Sequence, residues 1–131
     1  MAEAERVRLG IEAYAAENYV SGAKTTVTRQ RANLGALVAD ESTMTLFRFL
    51  NEVGAALGQE YRESMLRGGA DDAGTIQSAG VAVVDGCGID GLNAHNLTEQ
   101  AYLQSMYDKV LLLAAAILDS DRLEALLSKQ S

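Results

Sequence analysis

Residues Val110 to Leu118 read V-L-L-L-A-A-A-I-L, nine apolar residues without interruption. At a helical rise of about 1.5 Å per residue the run covers roughly 14 Å. A bilayer core needs about 20 apolar residues, so the run is too short to span one. Its length suits a buried strand, but Leu and Ala dominate it and both favour helix. The flanks also continue a helical pattern. A helix that is apolar all round belongs at the centre of a core. A chain of 131 residues cannot easily surround such a helix on every side. Part of its surface is therefore expected to meet another subunit.

The rest of the chain is read around that helix. Residues 3 to 20 predict a first helix, with Val7, Ile11, Tyr14 and Ala15 on one face. Glu3 and Glu5 suit the positive end of its dipole, and Ser21-Gly22 stops it. Residues 26 to 39 predict a second helix with a Thr cap, although Thr25 to Thr28 is β-branched and also suits a short strand. Asp40 and Ser42 are both plausible caps for a third helix running to about Leu66. Its inner stripe is Phe47, Leu50, Val53 or Gly54, Leu57, Tyr61 and Met65. Gly54 and Gly58, four apart, suggest close helix packing, and Gly68-Gly69 marks the end.

Residues 67 to 95 hold seven of the twelve glycines and read as an acidic insertion, with one short strand possible at Val81 to Val84. Asn96 and Glu99 fit a capping box that opens the last long helix. Asp119-Ser120-Asp121 breaks it, and Leu123, Leu126 and Leu127 give a short final helix ending near Lys129. Proline is absent, where average usage of about 5% predicts roughly six. The expected fold is all-α, a single four-helix-bundle-like domain over residues 1 to 131. A short C-terminal helix and the Gly-rich loop complete it. Leu50, Leu57, Val7 and Ile11 are expected to face the apolar run.

Charge is unevenly placed. The net charge is −7. That argues against general binding to nucleic acid or anionic membranes, which reward Lys and Arg. From Gly68 to Asp108 there is no Lys or Arg, while Asp71, Asp72, Asp85, Asp90, Glu99 and Asp108 supply six negative charges. Lys24, Arg29 and Arg31 form the most positive segment. Head-to-tail complementarity between subunits is one reading. A solvated acidic loop that pairs with the basic segment of its own chain is the other.

The loop also carries Asp85-Gly-Cys87-Gly-Ile-Asp90-Gly, then Asn93 and His95. Oxygen ligands among glycines suit Ca²⁺, but the spacing departs from an EF-hand. Cys87 and His95 are the only Cys and His. They are conceivable as a thiol–imidazole pair, but nothing in the sequence fixes their geometry. A zinc site needs more ligands than the chain owns. A single Cys and no apolar leader in the first twenty residues suggest a reducing, cytoplasmic setting.

The leading expectation is a non-enzymatic protein–protein interaction or assembly protein, homo-oligomeric, with no cofactor and no metal. A virion component and an acidic inhibitor or chaperone of a basic partner both fit. The expected interface residues are Leu111, Leu112 and Leu118, with Lys24, Arg29 and Arg31 set against Asp71, Asp72, Asp85 and Asp90. The alternative is a small ligand-binding protein or enzyme that uses the 85–95 loop.

Overall fold

A computed structural model describes residues 2–17, 19–28, 35–60, 62–65, 68–69 and 71–130. The chain divides into two compact units, Met1–Ala32 and Asn33–Ser131. Among the described residues the structure is predominantly helical, and its one sheet has two strands.

The first unit holds α1 (Ala2–Ala16). Glu3 pairs with Arg6, while Arg8 bridges Glu5 and Glu12 across one and two sides of a turn. These i,i+3 and i,i+4 pairs support the helix locally, though exposed pairs add little to stability. α1 stops at Ala16 rather than at residue 20. Beyond it, Tyr19 donates its hydroxyl to Glu17, and Gly22 turns the chain at a φ of 79°. Val7 and Ile11 are exposed on α1.

The helix expected over 26–39 is not found in the described part of that span. Residues 26–28 and 35–39 have no helical structure, and 29–34 lie outside the described residues. The reason at the second end is tertiary. Val38 uses both its N–H and its C=O on the side-chain amide of Gln77, at 2.8 and 2.6 Å. Gly35 and Gly74 meet backbone to backbone, so close that a Cβ on Gly74 would stand 1.8 Å from the Gly35 carbonyl oxygen. A segment committed to these contacts cannot also close i→i−4 helical bonds.

α2 (Glu41–Ala56) begins as expected. The Asp40 carboxylate accepts from Thr43 N at 2.8 Å and from the Ser42 hydroxyl at 2.9 Å, so Asp40 is the cap and Ser42 its support. These donors hold the Asp40 carboxyl below the ordinary aspartate range, Thr43 N–H having the largest effect. The helix ends at Ala56, not near Leu66. Gly58 takes a φ of 76°, its N–H bonds to Ala55 O, and Gln59 N bonds to Gly54 O at 2.9 Å. That is a Schellman stop. Gly58 is thus the C-terminal turn rather than a packing notch. Gly54 does pack, with Leu112 Cδ1 at 3.6 Å from where a Cβ would lie. The buried stripe is also rotated from the expected one: Phe49 is 1% exposed and Val53 is buried, whereas Phe47 is only half-buried. After the stop the chain returns along α2, where the Asn51 amide pairs with the backbone N–H and C=O of Arg62.

The Gly-rich region is more structured than its composition suggests. It contains α3 (Ala73–Ser78), started by Asp71 accepting from Ala73 N. Residues 81–84 form no strand. β1 (Gly91–Leu92) and β2 (Gln100–Ala101) pair antiparallel, with Gly91 opposite Ala101 and Leu92 opposite Gln100. α4 (Leu103–Leu118) therefore starts later than the capping box implied. Asn96 instead accepts from Thr98 N, a local Asx-type turn that consumes the cap acceptor. α4 breaks at Asp119, and α5 (Ser120–Leu127) follows, closed by a 3₁₀ turn over Ser128–Gln130.

α2, α4 and α5 enclose the core. Phe49, Val53, Leu112 and Ala116 are its buried centre, and Leu46, Leu50, Leu57, Ala115, Leu123 and Leu126 pack around it. Arg122 lies 4.6 Å over the Phe49 ring while pairing with Glu52 and Asp119. It covers the face of the ring and ties α5 to α2.

Two outcomes test this description. Leu112→Ala should cost about 2–5 kcal/mol of stability, the usual range for a truncated core leucine. Leu111→Ala, one residue away on an exposed face, should stay within about 0.5 kcal/mol. Urea unfolding of both variants measures the contrast. The Asp40 cap sets an acid limb. Its folded pKa lies below the unfolded one, so its contribution is complete above the ordinary aspartate value and is lost as pH falls through the folded value. Asp40→Asn should keep the cap hydrogen bond and flatten this part of the urea midpoint's decline with acid.

Candidate functional site

α4 presents two chemically different faces, and its sequence spacing decides which residues go where. Lys109, Leu112 and Ala116 stand at i, i+3 and i+7 and point inward. Leu103, Tyr107, Val110, Ala114 and Ile117 alternate steps of four and three on the outward side, and all are exposed. The nine-residue run is thus divided lengthwise. Leu112 and Ala116 belong to the core. Val110, Leu111, Ile117 and Leu118 remain 62, 52, 72 and 89% exposed.

Lys109 is the unexpected member of the inward face. It is 5% exposed, and its ammonium donates to Gly86 O at 2.7 Å, Gly88 O at 2.9 Å and Asp90 Oδ1 at 3.1 Å. A lysine ammonium has three N–H donors, and here three oxygens receive them. The same helix end holds the loop twice more. Tyr102 N donates to Asp90 O at 2.8 Å, and the Ser105 hydroxyl accepts from Asp90 N at 2.9 Å. Tyr102, Ser105 and Lys109 share one side of the helix start, and together they fix residues 86–90 against it. The register of the small hairpin follows directly, since Gly91 and Ala101 are the next residues outward on the two strands.

This arrangement answers the cation reading of the loop. The loop does gather oxygens around a positive charge, and the charge is the chain's own Lys109. Asp85 accepts from its neighbour Gly86 N and stays exposed. Cys87 is a half-buried free thiol and His95 is exposed at a φ of 65°. No hydrogen bond joins these two. Among the described residues no cluster of three or more His, Cys, Asp or Glu side chains is placed to hold a metal ion.

The expected interface residues fall in different surroundings within their own units. Lys24 is exposed in the first unit, while Arg29 and Arg31 lie outside the described residues. Asp71 and Asp72 flank the start of α3, each engaged there: Asp71 with Ala73 N, and Asp72 through its carbonyl with Ile76 N. Asp90 is paired with Lys109, although its carboxylate keeps 61% exposure. Within the stretch that lacks Lys and Arg, Asp90 thus pairs with the residue that follows the stretch, Lys109. Leu112, at 3% exposure, is core and leaves the outward face to Leu111 and Leu118. Lys109 was absent from the sequence-based candidates. The signal that pointed to it is its place as the one charge on an otherwise apolar helical stripe.

No known protein family, curated protein or solved structure matches the chain.

Removing the ammonium should release the loop. Lys109→Met keeps the stem and leaves the Gly86 and Gly88 carbonyls without a donor, a cost of about 1–3 kcal/mol. Asp90→Asn should cost less, roughly 0–1 kcal/mol, because the carboxylate is largely solvated. Amide hydrogen exchange at Asp90 and Tyr102 should quicken in Lys109→Met and stay near wild type in Asp90→Asn. Equal protection in all three proteins would show that the ammonium does not hold the loop.

Proposed function

We propose that this protein acts through protein–protein contact, with the outward face of α4 as the contact surface. The observation that carries the reading is the size of that face. Leu103, Met106, Tyr107, Val110, Leu111, Leu113, Ile117 and Leu118 are 61, 38, 58, 62, 52, 38, 72 and 89% exposed. With on the order of 200 Å² for a fully exposed large apolar residue, these eight present roughly 900 Å². The largest apolar patch on a typical monomer is about 300–600 Å². Such a surface is costly to leave in water. A chain that keeps it on a well-formed helix has a use for it.

The proposed role is non-catalytic: a component of an assembly, or a small adaptor that works by occupancy. The 85–95 loop supports this better than a ligand site, because its inward oxygens are engaged by Lys109. The acidic residues then serve solubility and local structure rather than recognition. Among the described residues no helix is long and apolar enough to cross a membrane.

A double variant tests the surface. Val110→Glu with Ile117→Glu should leave helix content and melting temperature near those of dilute wild-type protein, since both positions are exposed. It should also suppress the fluorescence response to an apolar dye in dilute protein by several-fold. If dilute wild-type protein gives no dye response and shows no association at any concentration, the face is not open in solution and the reading falls.

A further inference from the structure

We infer that the occupant of the α4 face is a second copy of this chain. The inference rests on the contact-surface reading and names the partner for it. Charge is the first argument. The chain carries a net charge of −7. Two copies therefore repel each other over most of their surfaces. From Leu103 to Leu118 the only charged residues are Asp108 and Lys109. Lys109 is buried in the loop cage, and Asp108 is half-buried and accepts from Gln104. The seam is thus charge-free, which spares two copies that repulsion and gives a basic partner nothing to read.

Spacing is the second argument. The 4-3-4-3 steps through Leu103, Tyr107, Val110, Ala114 and Ile117 make the narrow seam by which helices pair knob into hole. An identical seam supplies both knobs and holes, so a two-fold contact satisfies both sides at once. Antiparallel packing centred between Val110 and Leu111 opposes the two helix dipoles. It also sets the large Tyr107 level with the partner's small Ala114. Area is the third argument. A stable specific interface buries about 800 Å² per partner, so the contact extends from the seam over the flanking Met106, Leu111, Leu113 and Leu118, which bring the face to roughly 900 Å².

Sedimentation equilibrium on the full chain, from dilute to concentrated and at low and high salt, is the test. Wild type should dimerise, and salt should not weaken the dimer, because the contact is apolar and screening reduces the repulsion of two acidic chains. Val110→Glu with Ile117→Glu should weaken association by more than about tenfold. Ile76→Glu, an exposed apolar control on α3, should leave it unchanged. Val110→Cys should cross-link between copies under mild oxidation. A dye response that falls as the dimer forms would tie association to this face. If wild type stays monomeric throughout, the second copy is overturned, and a persisting α4-dependent dye response then keeps the contact-surface reading alone. If the double variant dimerises as wild type does, the seam is not the contact. Should the dye response also be unchanged, both readings fall.

Discussion

The ammonium of Lys109 is the interaction on which the arrangement of the glycine-rich half depends. A buried cation is tolerated only when its donors are met. Here the donors are met by two main-chain carbonyls and one carboxylate from a single short loop. Gly86, at a φ of 79°, lets the backbone bend so that both carbonyls face inward around one point. Once they do, Asp90 is fixed to Tyr102 and Ser105, the hairpin register is set, and α4 can begin only at Leu103. A composition that suggests disorder is thereby converted into a folded strap by one charge on a neighbouring helix.

Side-chain amides do the same work elsewhere. Gln77 pairs with the N–H and C=O of Val38, Asn51 with those of Arg62, and Gln59 donates to the carbonyl of Asp108. The first two replace missing backbone partners for segments outside regular structure, and the third ties the turn after α2 to α4. The core among the described residues is small, centred on Phe49, Val53, Leu112 and Ala116. Apolar burial alone gives so small a core little to hold long irregular segments with. Long-range polar pairing supplies what those segments lack. One atom shows the cost: Gln59 Oε1 is buried without a partner.

What could be read from the sequence follows from the range of the interactions involved. The Asp40 cap, the break at Asp119 and the apolar helix between them and α5 are set by neighbours within four residues, so their signals are local. The packing of Leu50 and Leu57 was legible for the same reason. Non-local bonds decided the rest. Val38 leaves its helical pattern for Gln77, 39 residues away, and Gly35 for Gly74. Asn96 and Glu99 spelled a capping box, yet the hairpin that precedes α4 used Asn96 for a turn instead. Gly58 was visible as a glycine, but its role as a helix stop depended on φ, which spacing alone does not give. Phe49 stands two residues from Phe47, so a stripe drawn from Phe47 has the same period and leaves Phe49 off it.

The apolar run shows a deeper limit of composition. Nine apolar residues say that a helix is hydrophobic all round, and they do not say which side finds a partner within the chain. α2 and α5 settle one side, through Leu112 and Ala116. Lys109 marks the edge of that side, because a charge there must be enclosed by the loop to be tolerated at all. The opposite side receives nothing from α2 or α5, yet it keeps a regular seam with neither a charge nor a helix-breaking residue. Selection against aggregation ordinarily breaks such a surface with a lysine or glutamate. Here the charges are concentrated on α1, the loops and α5 instead. An uninterrupted seam on the best-formed helix of an acidic chain is therefore a surface that the rest of the charge layout leaves open.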